Sequence, residues 1–529
     1  MATELEINII ERVAMGDIFR RRAMISPKAT ALVEERNGER LSLNYQQFND
    51  LINKMAHAYR GLGMQPGDKI ALACPNSIEF MVCLFACMKG GFVAVPLNFV
   101  QNPKDIVYTI NHAEARMVVV EDSLTPSFDA MVDQLPLVER WIQVPVTGKA
   151  TSDTYLNYLD LAAEASAEEV MDVIIRDRDI AQIMYTSGTT SNPKGVMTSH
   201  LALFMATMTN AIEMHMEMGV VGSSVMPLFH VAQQILTTTY FHLGGTAVIF
   251  RGYEPAALLK SIQDEKIAFT FLLPLMWKGL LEVPDVEKFD YSSLKKGFYG
   301  MAPMDQPSLE RLKQIFDCPF ELGSGQTELT PIACVIRDKW GDVKKGNYWG
   351  EAALTVDQAI MDENGNILPD GETGEIVWRS PQVMNGYYKN EEATEAARAF
   401  GWHHSGDLGY YDEDRQLMFV DRKKDMVKTG GENVPSVKVE RVIMSNPKVA
   451  GVAIVGLPHN RWTEAVTAFV VPKDDVELTE DEIFATCKEE LGGFEVPKGV
   501  VFVDEIPSTA TGKFQKHRLR TLYEDYYND

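Results

Sequence analysis

The chain has 529 residues, of which 50 are lysine or arginine and 74 are aspartate or glutamate, so its formal net charge is −24. This acidity opposes binding to nucleic acid or to an anionic membrane surface. The N-terminal residues include several acids, and no run in the chain approaches about 20 apolar residues, so we expect neither a signal peptide nor an integral membrane segment. We expect a cytoplasmic protein with more than one domain.

Six cysteines are scattered through the sequence, and none belongs to a Cys-x-x-Cys pair. Cys83 and Cys87 lie one helical turn apart in an apolar segment, where we expect two buried core side chains. The sequence therefore predicts no disulfide and no structural zinc.

Apolar runs alternate with segments of helical length in the first half of the chain. The run "KIALAC" is followed by "SIEFMVCLFACMKG" and then by "GFVAVPL". The same alternation recurs at "DIVYTINHAEARMVVVED" and at "LLKSIQDEKIAFTFLLPL". This pattern predicts an α/β fold of layered sheets with parallel strands.

Residues 185–195 read "YTSGTTSNPKG" and lie between the apolar run "IAQIMY" and the helix-like "VMTSHLALFMATMTNAI". We therefore predict a loop from a strand to a helix. Its glycines allow close backbone approach, its amides and hydroxyls donate to phosphate oxygens, and Lys194 adds a positive charge. It does not match the G-x-x-x-x-G-K-[ST] nucleotide loop, because Lys194 precedes Gly195. The loop is a candidate phosphate cradle in a different fold, and the alternative is an ordinary polar turn.

The C-terminal part has a pattern of its own. The runs "VAGVAIVGL", "AVTAFVVP" and "VVFVDEIP" predict strands, and "EDEIFATCKEELGG" predicts an amphipathic helix ended by glycine. These segments predict a compact α+β module.

Four segments follow the hydroxyl-rich loop in a fixed order: "ELGSGQTE", "WHHSGDLGYYDEDR", "DRKKDMVKTGGENVPSVKVE" and "PSTATGKFQK". Together the five segments resemble the adenylate-forming superfamily, which includes acyl-CoA synthetases, firefly luciferase and the adenylation domains of peptide synthetases. The resemblance extends over nearly the whole chain. It implies a large N-terminal domain of layered α/β sheets over 1–421, a hinge at 422–424 and a small mobile α+β domain over 425–529.

The resemblance also implies an AMP-forming acid–thiol ligase that uses ATP and Mg²⁺, with CoA as co-substrate. In such an enzyme, a carboxylic acid and ATP give acyl-AMP and pyrophosphate, and acyl-AMP and CoA then give acyl-CoA and AMP. An acyl-AMP ligase that loads a carrier protein and a luciferase-like oxygenase are the alternative functions. A homodimer is left open.

Roles in adenylation are implied at matching positions. Lys513 would touch the substrate oxygen and the phosphate, Thr327 the α-phosphate, and Glu328 would hold Mg²⁺. Asp407 would accept hydrogen bonds from the ribose hydroxyls with Arg422 assisting. The other implied nucleotide-binding residues are Thr186, Ser187, Gly188, Thr189, Thr190, Lys194, Gly323, Ser324, Gly325 and Gln326.

Three of these residues also have a structural alternative. Lys513 could be a solvated lysine, Glu328 an acid at a helix start, and Asp407 a turn residue. For the second half-reaction, Lys424 matches the hinge position. The implied CoA tunnel contains Lys428, Gly430, Gly431 and Glu432.

The acid pocket is implied at two places in the sequence. His230 resembles the residue at the mouth of the carboxylate site, although a histidine there could also be a packed core residue. The implied acyl pocket contains Phe229, Gly300, Met301, Ala302 and Pro303.

Side-chain chemistry and size narrow the class of acid. Residues 229–232 supply no carboxylate for a substrate ammonium, which disfavours an α-amino acid. Gly325 stands where acetate-specific relatives place tryptophan, so the pocket is expected to accept more than acetate. Met301 replaces a glycine of many relatives and would shorten or narrow the tunnel; the alternative is that it points elsewhere, since methionine is a common gap filler. We expect a medium-chain, branched or cyclic/aromatic acid, with longer fatty acids left open.

Overall fold

The structure is a computed structural model, and it describes residues 2–186, 193–300, 302–341, 343–344, 346–508 and 514–527. Lys513 and residues 187–192, which belong to the predicted phosphate loop, lie outside the described residues, as does Met301. The described residues form two compact units, which are treated separately below. The first unit contains 2–186, 193–358 and 378–403, and the second contains 359–377 and 404–527.

Strands are numbered in chain order. Their bounds are β1 Thr30–Arg36, β2 Glu39–Asn44, β3 Lys69–Ala73, β4 Val93–Pro96, β5 Ala115–Glu121, β6 Arg140–Val144, β7 Leu156–Asn157, β8 Ile180–Thr186, β9 Lys194–Ser199, β10 Val221–Ser224, β11 Thr246–Ile249, β12 Phe269–Leu272, β13 Lys296–Gly300, β14 Phe320–Gly325, β15 Ile332–Ile336, β16 Tyr348–Ala352, β17 Asp357–Met361, β18 Gly374–Arg379, β19 Gly386–Tyr387, β20 His403–Tyr411, β21 Leu417–Arg422, β22 Val427–Thr429, β23 Glu432–Val434, β24 Val449–His459, β25 Thr463–Pro472 and β26 Gly499–Phe502.

Helices are numbered in the same way. Their bounds are α1 Glu4–Glu11, α2 Asp17–Ile25, α3 Tyr45–Gly61, α4 Ile78–Gly90, α5 Pro103–Ala113, α6 Thr125–Asp129, α7 Tyr158–Glu164, α8 His200–Glu213, α9 Val231–His242, α10 Pro255–Asp264, α11 Pro274–Leu281, α12 Gln306–Phe316, α13 Asp338–Gly341, α14 Glu391–Ala396, α15 Ser436–Met444, α16 Glu480–Glu490 and α17 Lys516–Leu522.

One sheet of the first unit has the strand order β19-β9-β8-β4-β3-β5-β6-β7. Its central strands β3, β4, β5, β6 and β8 run parallel to their neighbours within that group. The apolar runs of β3 and β4 are almost wholly buried, as expected for parallel strands covered on both faces. The predicted parallel α/β layer is therefore confirmed.

Helix α4 shows how the sequence sets the limits of an element. It begins after Ser77, whose side chain accepts a hydrogen bond from the Phe80 amide, and it is capped after its last residue by Gly91, which adopts the left-handed conformation with φ of +77°. Nearly all its residues are buried, including Cys83 and Cys87. All six cysteines lie among the described residues and are free, buried thiols.

The loop at residues 185–195 does not lead into a helix as predicted. Residues 194–199 form strand β9, which pairs antiparallel with β8, and helix α8 starts only at His200. The reason is that Ser199 has extended backbone angles and caps α8 by accepting a hydrogen bond from Ala202. The hydroxyl-rich loop therefore connects two strands of a hairpin.

The other sheet of the first unit has the strand order β16-β15-β14-β13-β12-β10-β11-β1-β2. Strands β12, β13 and β14 run parallel, with Gly300 opposite Gly323. Their carboxyl ends therefore lie at one edge, where ligands of parallel α/β sheets commonly bind. A buried core that includes Trp277, Phe316 and Phe320 supports these strands.

The second unit has its own sheets and core. One ladder has the order β17-β18-β20-β21, and a separate sheet has the order β23-β22-β25-β24 with β26 beside β25. Residues of β22, β24, β25, α15 and α16 share one apolar core. The predicted α/β class with a large and a small α+β part is confirmed, whereas the boundaries at 421 and 425 stay predictions. In the described ranges, no helix has both the length and the apolar character that a membrane crossing requires.

Candidate functional site

The base of the hydroxyl-rich loop is a regular antiparallel pair. Tyr185 lies opposite Gly195, and Thr186 lies opposite Lys194. The Thr186 hydroxyl donates to the Lys194 carbonyl at 3.5 Å. Both ends of the loop are therefore fixed, while its predicted binding residues Ser187, Gly188, Thr189 and Thr190 lie outside the described residues.

Aromatic side chains support this hairpin. A Cβ atom at Gly195 would lie 2.9 Å from Ile183 and 3.0 Å from the Tyr185 ring, so glycine allows the tyrosine to cross the strand. The Tyr185 hydroxyl shares a hydrogen bond of 2.8 Å with His112. Burial raises the pKa of Tyr185 well above its usual value, so the phenol stays protonated. The base of the loop is thus supported by packed side chains, among them the uncharged phenol of Tyr185.

Thr327 and Glu328 lie in a short 3-10 helix, Thr327–Leu329, that follows β14. The turn ends at Thr330, which has a φ of +62° and whose hydroxyl donates to the Gln382 carbonyl at 2.9 Å. The Glu328 carbonyl accepts a hydrogen bond of 2.8 Å from the Met384 amide. Glu328 is therefore presented by a turn that the segment near 382–384 holds at two points.

The predicted residues that precede this turn lie at the end of β14. Ser324 lies within the strand, and the Gln326 amide donates to the Pro331 carbonyl at 2.9 Å. A Cβ atom at Gly325 would lie 1.7 Å from that same carbonyl oxygen. Glycine at position 325 is required by this backbone approach, so its lack of a side chain does not by itself measure the size of the acid pocket.

Tyr387 joins the loop to the turn, and the sequence patterns did not indicate it. Its hydroxyl donates to Glu328 Oε1 at 2.9 Å, and the Lys194 ammonium lies 4.9 Å from the centre of its ring. Strand β19 brings Tyr387 to this place by pairing antiparallel with β9. Two predicted site residues, Lys194 and Glu328, belong to different sequence motifs and thus both contact the side chain of Tyr387.

His230 stands at the start of α9 and not within the core. It is half-buried, and its Nδ1 accepts a hydrogen bond of 3.4 Å from the Ala232 amide. Phe229 is buried beside it and meets Phe99 edge to face, with ring centres 5.3 Å apart. Asn76 holds the preceding loop, accepting from the Leu228 amide at 2.8 Å.

The predicted acyl-pocket residues of the other sheet follow β13. A Cβ atom at Gly300 would lie 3.0 Å from the Gly323 carbonyl oxygen and 3.3 Å from the Phe271 ring. A Cβ atom at Gly323 would meet Phe298 at 2.4 Å. Ala302 and Pro303 are exposed. Both glycines are therefore explained by close packing at the carboxyl ends of β13 and β14.

Within the second unit, Asp407 lies inside strand β20, so the alternative of a turn residue is wrong. Its register partner on β21 is Arg422, whose Nε is 3.9 Å from Asp407 Oδ1. The Ser405 hydroxyl accepts from the Asp407 amide at 3.0 Å and donates to the Ile376 carbonyl at 2.6 Å. The carboxylate and the guanidinium are thus placed side by side on neighbouring strands.

Residues 428–432 form the tip of the hairpin made by β22 and β23. Thr429 lies opposite Glu432, so Gly430 and Gly431 make a two-residue turn, with φ of +59° and +90°. Lys428 and Glu432 are exposed. The glycines are therefore required by the turn itself, in addition to any role towards CoA. Lys424 is also exposed and lies between β21 and β22.

The side chains at the turn after β14 fit a magnesium ion that is shared with a nucleotide. The Glu328 carboxylate could supply an oxygen ligand, which Mg²⁺ prefers, and the Thr327 hydroxyl could contact a phosphate of the nucleotide. Across the ranges that the structure describes, no group of three or more His, Cys, Asp or Glu side chains is arranged to hold a metal. A single carboxylate suits Mg²⁺, which usually keeps waters and substrate phosphates as its other ligands.

Comparison with known proteins agrees with this arrangement. The profile of the family described as "AMP-binding enzyme" matches residues 19–388, and that of the "AMP-binding enzyme C-terminal domain" matches 438–513. The chain is 32% identical over 505 residues to a feruloyl-CoA synthase of Amycolatopsis sp, covering 95% of this chain and 98% of that protein. It is 30% identical to a crotonobetaine/carnitine–CoA ligase of Proteus mirabilis, covering 97% and 100% of the two chains.

A solved structure is similar over the same length. The fatty acyl CoA synthetase of Mycobacterium tuberculosis matches with a TM-score of 0.79 and 28% identity, covering 97% of this chain and 99% of that one. The predicted class of enzyme, its use of ATP and CoA with a carboxylic acid, and Mg²⁺ as the metal typical of such enzymes are confirmed. The chain belongs to the AMP-binding enzyme family, as an AMP-forming carboxylate–CoA ligase of the adenylate-forming superfamily.

Proposed function

We propose that this ligase activates a medium-chain, branched or cyclic/aromatic carboxylic acid. The acid carboxylate attacks the α-phosphorus of ATP, so that a bond to the carboxylate oxygen forms and pyrophosphate leaves. The CoA thiol then attacks the acyl carbon, a thioester forms, its proton is released and AMP leaves. Each step exchanges one bond for another, with no oxidant or reductant.

The aromatic pair Phe99 and Phe229 is the observation that carries the proposal for the acid. Phe229 immediately precedes His230, the residue implied at the mouth of the carboxylate site, and it is held edge to face against Phe99. Apolar rings favour an apolar or aromatic acyl group, because they offer no partner to a charged substrate group. The name of the feruloyl-CoA synthase relative supports an aromatic acid as one member of the accepted class.

For adenylation, we assign binding and catalytic roles to side chains of the first unit and to Lys513. Lys194 and the loop hydroxyls would bind the β- and γ-phosphates, while Thr327 would contact the α-phosphate. Glu328 would hold Mg²⁺, which when bound neutralises phosphate charge. Lys513 would contact the carboxylate and the α-phosphate together, holding them at reacting distance.

For nucleotide binding and the second step, residues of the second unit are assigned further roles. The Asp407 carboxylate, with Arg422 beside it, would accept hydrogen bonds from ribose hydroxyls. Lys424 would be the hinge of a domain over 425–529, and rotation there would exchange Lys513 for the hairpin tip at Gly430 and Gly431. The tip would then border the path of CoA.

The experiment is a competition among acids. Purified enzyme, Mg²⁺, ATP and CoA are mixed with equal amounts of acetate, hexanoate, decanoate, cyclohexanecarboxylate, cinnamate, palmitate and phenylalanine, and acyl-CoA products are quantified by mass spectrometry. We expect a medium-chain, cyclic or aromatic acid to exceed acetate and phenylalanine by about tenfold or more in kcat/KM. Preference for palmitate over all shorter acids by a similar factor would contradict the proposal.

A variant connects the result to the aromatic pair. Phe229→Ala removes the ring beside His230 and should raise the KM for the preferred acid by about tenfold, while the KM for ATP stays within about twofold. Phe289→Ala is the control, because Phe289 is a partly buried residue that packs on a different part of the first unit's core. If the two variants raise the KM for the acid equally, the Phe229 ring acts only through the general stability of the fold.

A further inference from the structure

Tyr387 stands between two groups that the proposed function assigns to the nucleotide. Its hydroxyl contacts Glu328 Oε1 at 2.9 Å, and its ring lies under the Lys194 ammonium at 4.9 Å. Oε2 of Glu328 accepts no hydrogen bond from the residues that the structure describes. One oxygen of the carboxylate is thus held by the protein, and the other is left for a ligand.

The backbone fixes the tyrosine firmly enough to orient another side chain. Tyr387 pairs with Val196 of β9, and its amide donates to the Thr394 hydroxyl at 2.9 Å. The next amide, of Tyr388, donates to the Gly195 carbonyl at 2.7 Å. A Cβ atom at Gly386 would lie 2.8 Å from Thr394, so the approach of this threonine to the strand depends on glycine.

The phenol of Tyr387 is the hydrogen-bond donor in this pair, because an ionised carboxylate has no proton to donate. Donation to one oxygen sets the rotation of the carboxylate, as partners of metal-binding carboxylates commonly do.

We propose that Tyr387 is a positioning residue that orients the Glu328 carboxylate towards Mg²⁺ of the bound nucleotide and holds Lys194 beside the phosphates. This inference rests on the proposed role of Glu328. It gives the short strand β19 a function, because pairing with β9 then connects the phosphate loop to the metal-binding turn.

The chain offers a closely matched control. Tyr388 is the neighbouring tyrosine, and its hydroxyl also donates to a carboxylate, Glu114 Oε2, at 2.6 Å. Among the described residues, this pair makes no hydrogen bond or ion pair with Glu328 or Lys194. Tyr387→Phe and Tyr388→Phe therefore each remove one phenol–carboxylate hydrogen bond and leave the ring in place.

The test measures metal binding and not turnover alone. Mn²⁺ is titrated, with detection by electron paramagnetic resonance, into enzyme saturated with an ATP analogue that cannot be cleaved between the α- and β-phosphates. Tyr387→Phe should raise the Mn²⁺ dissociation constant about tenfold, and Tyr388→Phe should leave it within about twofold of the parent value. An unchanged constant in Tyr387→Phe would overturn the inference.

Two further variants show which assignment, that of Glu328 or that of Tyr387, is wrong if the prediction fails. If Glu328→Gln leaves Mn²⁺ binding unchanged, the assignment of Glu328 itself is wrong. If Glu328→Gln weakens binding and Tyr387→Phe does not, only the role of Tyr387 is wrong. Tyr387→Leu removes the ring as well and should weaken binding of the metal-free analogue about threefold beyond the effect of Tyr387→Phe. Thermal unfolding of each variant checks that the enzyme is folded during the titration.

Discussion

Asn76 accepts a hydrogen bond from the amide of Leu228 at 2.8 Å, and both side chains are buried. The Asn76 amide group also donates to the Met226 carbonyl at 2.9 Å and to the Phe250 carbonyl at 3.0 Å. One side chain therefore fixes the loop that ends at His230. The partners are more than 100 residues apart in sequence, since the separation from Leu228 is 152.

Asn76→Leu should disturb acid binding more than nucleotide binding. The substitution leaves the Leu228 amide buried without its acceptor, which costs about 1–3 kcal/mol of stability and loosens the loop before His230. We expect the KM for the acid to rise about tenfold and the KM for ATP to stay nearly constant. Asn53→Leu, at another buried asparagine of the first unit, is the control and should leave both KM values unchanged. A rise in the KM for ATP alone would count against this role.

Lys513→Ala should separate the two half-reactions. Loss of the ammonium removes charge neutralisation at the α-phosphate, so adenylation should slow by about 100-fold or more. Thioester formation from supplied acyl-AMP and CoA should remain within about threefold of the parent rate. Stopped-flow and quenched-flow measurements of each half-reaction check this, with Lys473→Ala as a control at an exposed lysine. Equal losses in both steps would refute the division of roles.

Substitutions of Gly431 distinguish two roles of this glycine, which are to avoid backbone strain in the hairpin turn and to leave space for CoA. Its φ is +90°, and nothing in the described structure lies within 4 Å of a Cβ atom built there. Gly431→Leu should cost about 1–2 kcal/mol in stability because a branched residue disfavours this conformation. Gly431→Asn should cost less, since asparagine adopts left-handed angles more readily.

If CoA passes the hairpin tip, both Gly431 variants should slow thioester formation from acyl-AMP and spare adenylation. The comparison is made on KM for CoA at a temperature where both variants are folded. If only Gly431→Leu slows thioester formation, and in proportion to the lower stability of that variant, the glycine serves only the turn.

Lys516 is expected to stabilise the second unit through a partly buried ion pair. Its ammonium lies 2.7 Å from Glu440 Oε1 and 2.6 Å from the Ser436 hydroxyl. Burial raises the pKa of Glu440 above 4.5, while Lys516 opposes this rise. Lys516→Met leaves the carboxylate without its cation and should destabilise the unit by about 3 kcal/mol at pH 8.

The pH dependence of this loss has a definite sign. An acid whose folded pKa is raised contributes stability below its unfolded pKa, and that contribution is lost as the pH rises through the folded pKa. Removing Lys516 raises the folded pKa of Glu440 further, so the loss should be small near pH 4 and grow towards pH 8. Hydrogen exchange of α15 at several pH values measures it. Lys448→Met, which breaks an ion pair with Glu482 between half-exposed side chains, should cost less than about 1 kcal/mol.

Local patterns were sufficient to predict much of the fold. The buried runs of β3 and β4 and the helix between them follow from apolar runs bounded by glycine and serine. The hairpin at β8 and β9 was missed because the residues after Lys194 continue without a break into α8. The cap at Ser199 was the one sequence signal of that boundary.

The candidate site was predictable where a motif contains its residues together, as at Thr327 and Glu328. Tyr387 was not predictable, because its contact with Glu328 spans 59 residues and depends on the pairing of a two-residue strand. In the sequence, the missing side chain of Gly325 is interpreted as a sign of a larger acid pocket. In the structure, glycine is needed at this position because the Pro331 carbonyl oxygen occupies the space of a Cβ atom. Contacts of this kind are set by tertiary packing and leave no local periodicity.

The most direct test of the central claim is to quantify AMP, pyrophosphate and acyl-CoA formed by the purified enzyme from ATP, CoA and its preferred acid. We predict equal amounts of the three products, and, when CoA is omitted, about one acyl-AMP retained per enzyme molecule. Formation of ADP and phosphate, or acyl-AMP that accumulates while free CoA is present, would contradict assignment as an AMP-forming CoA ligase.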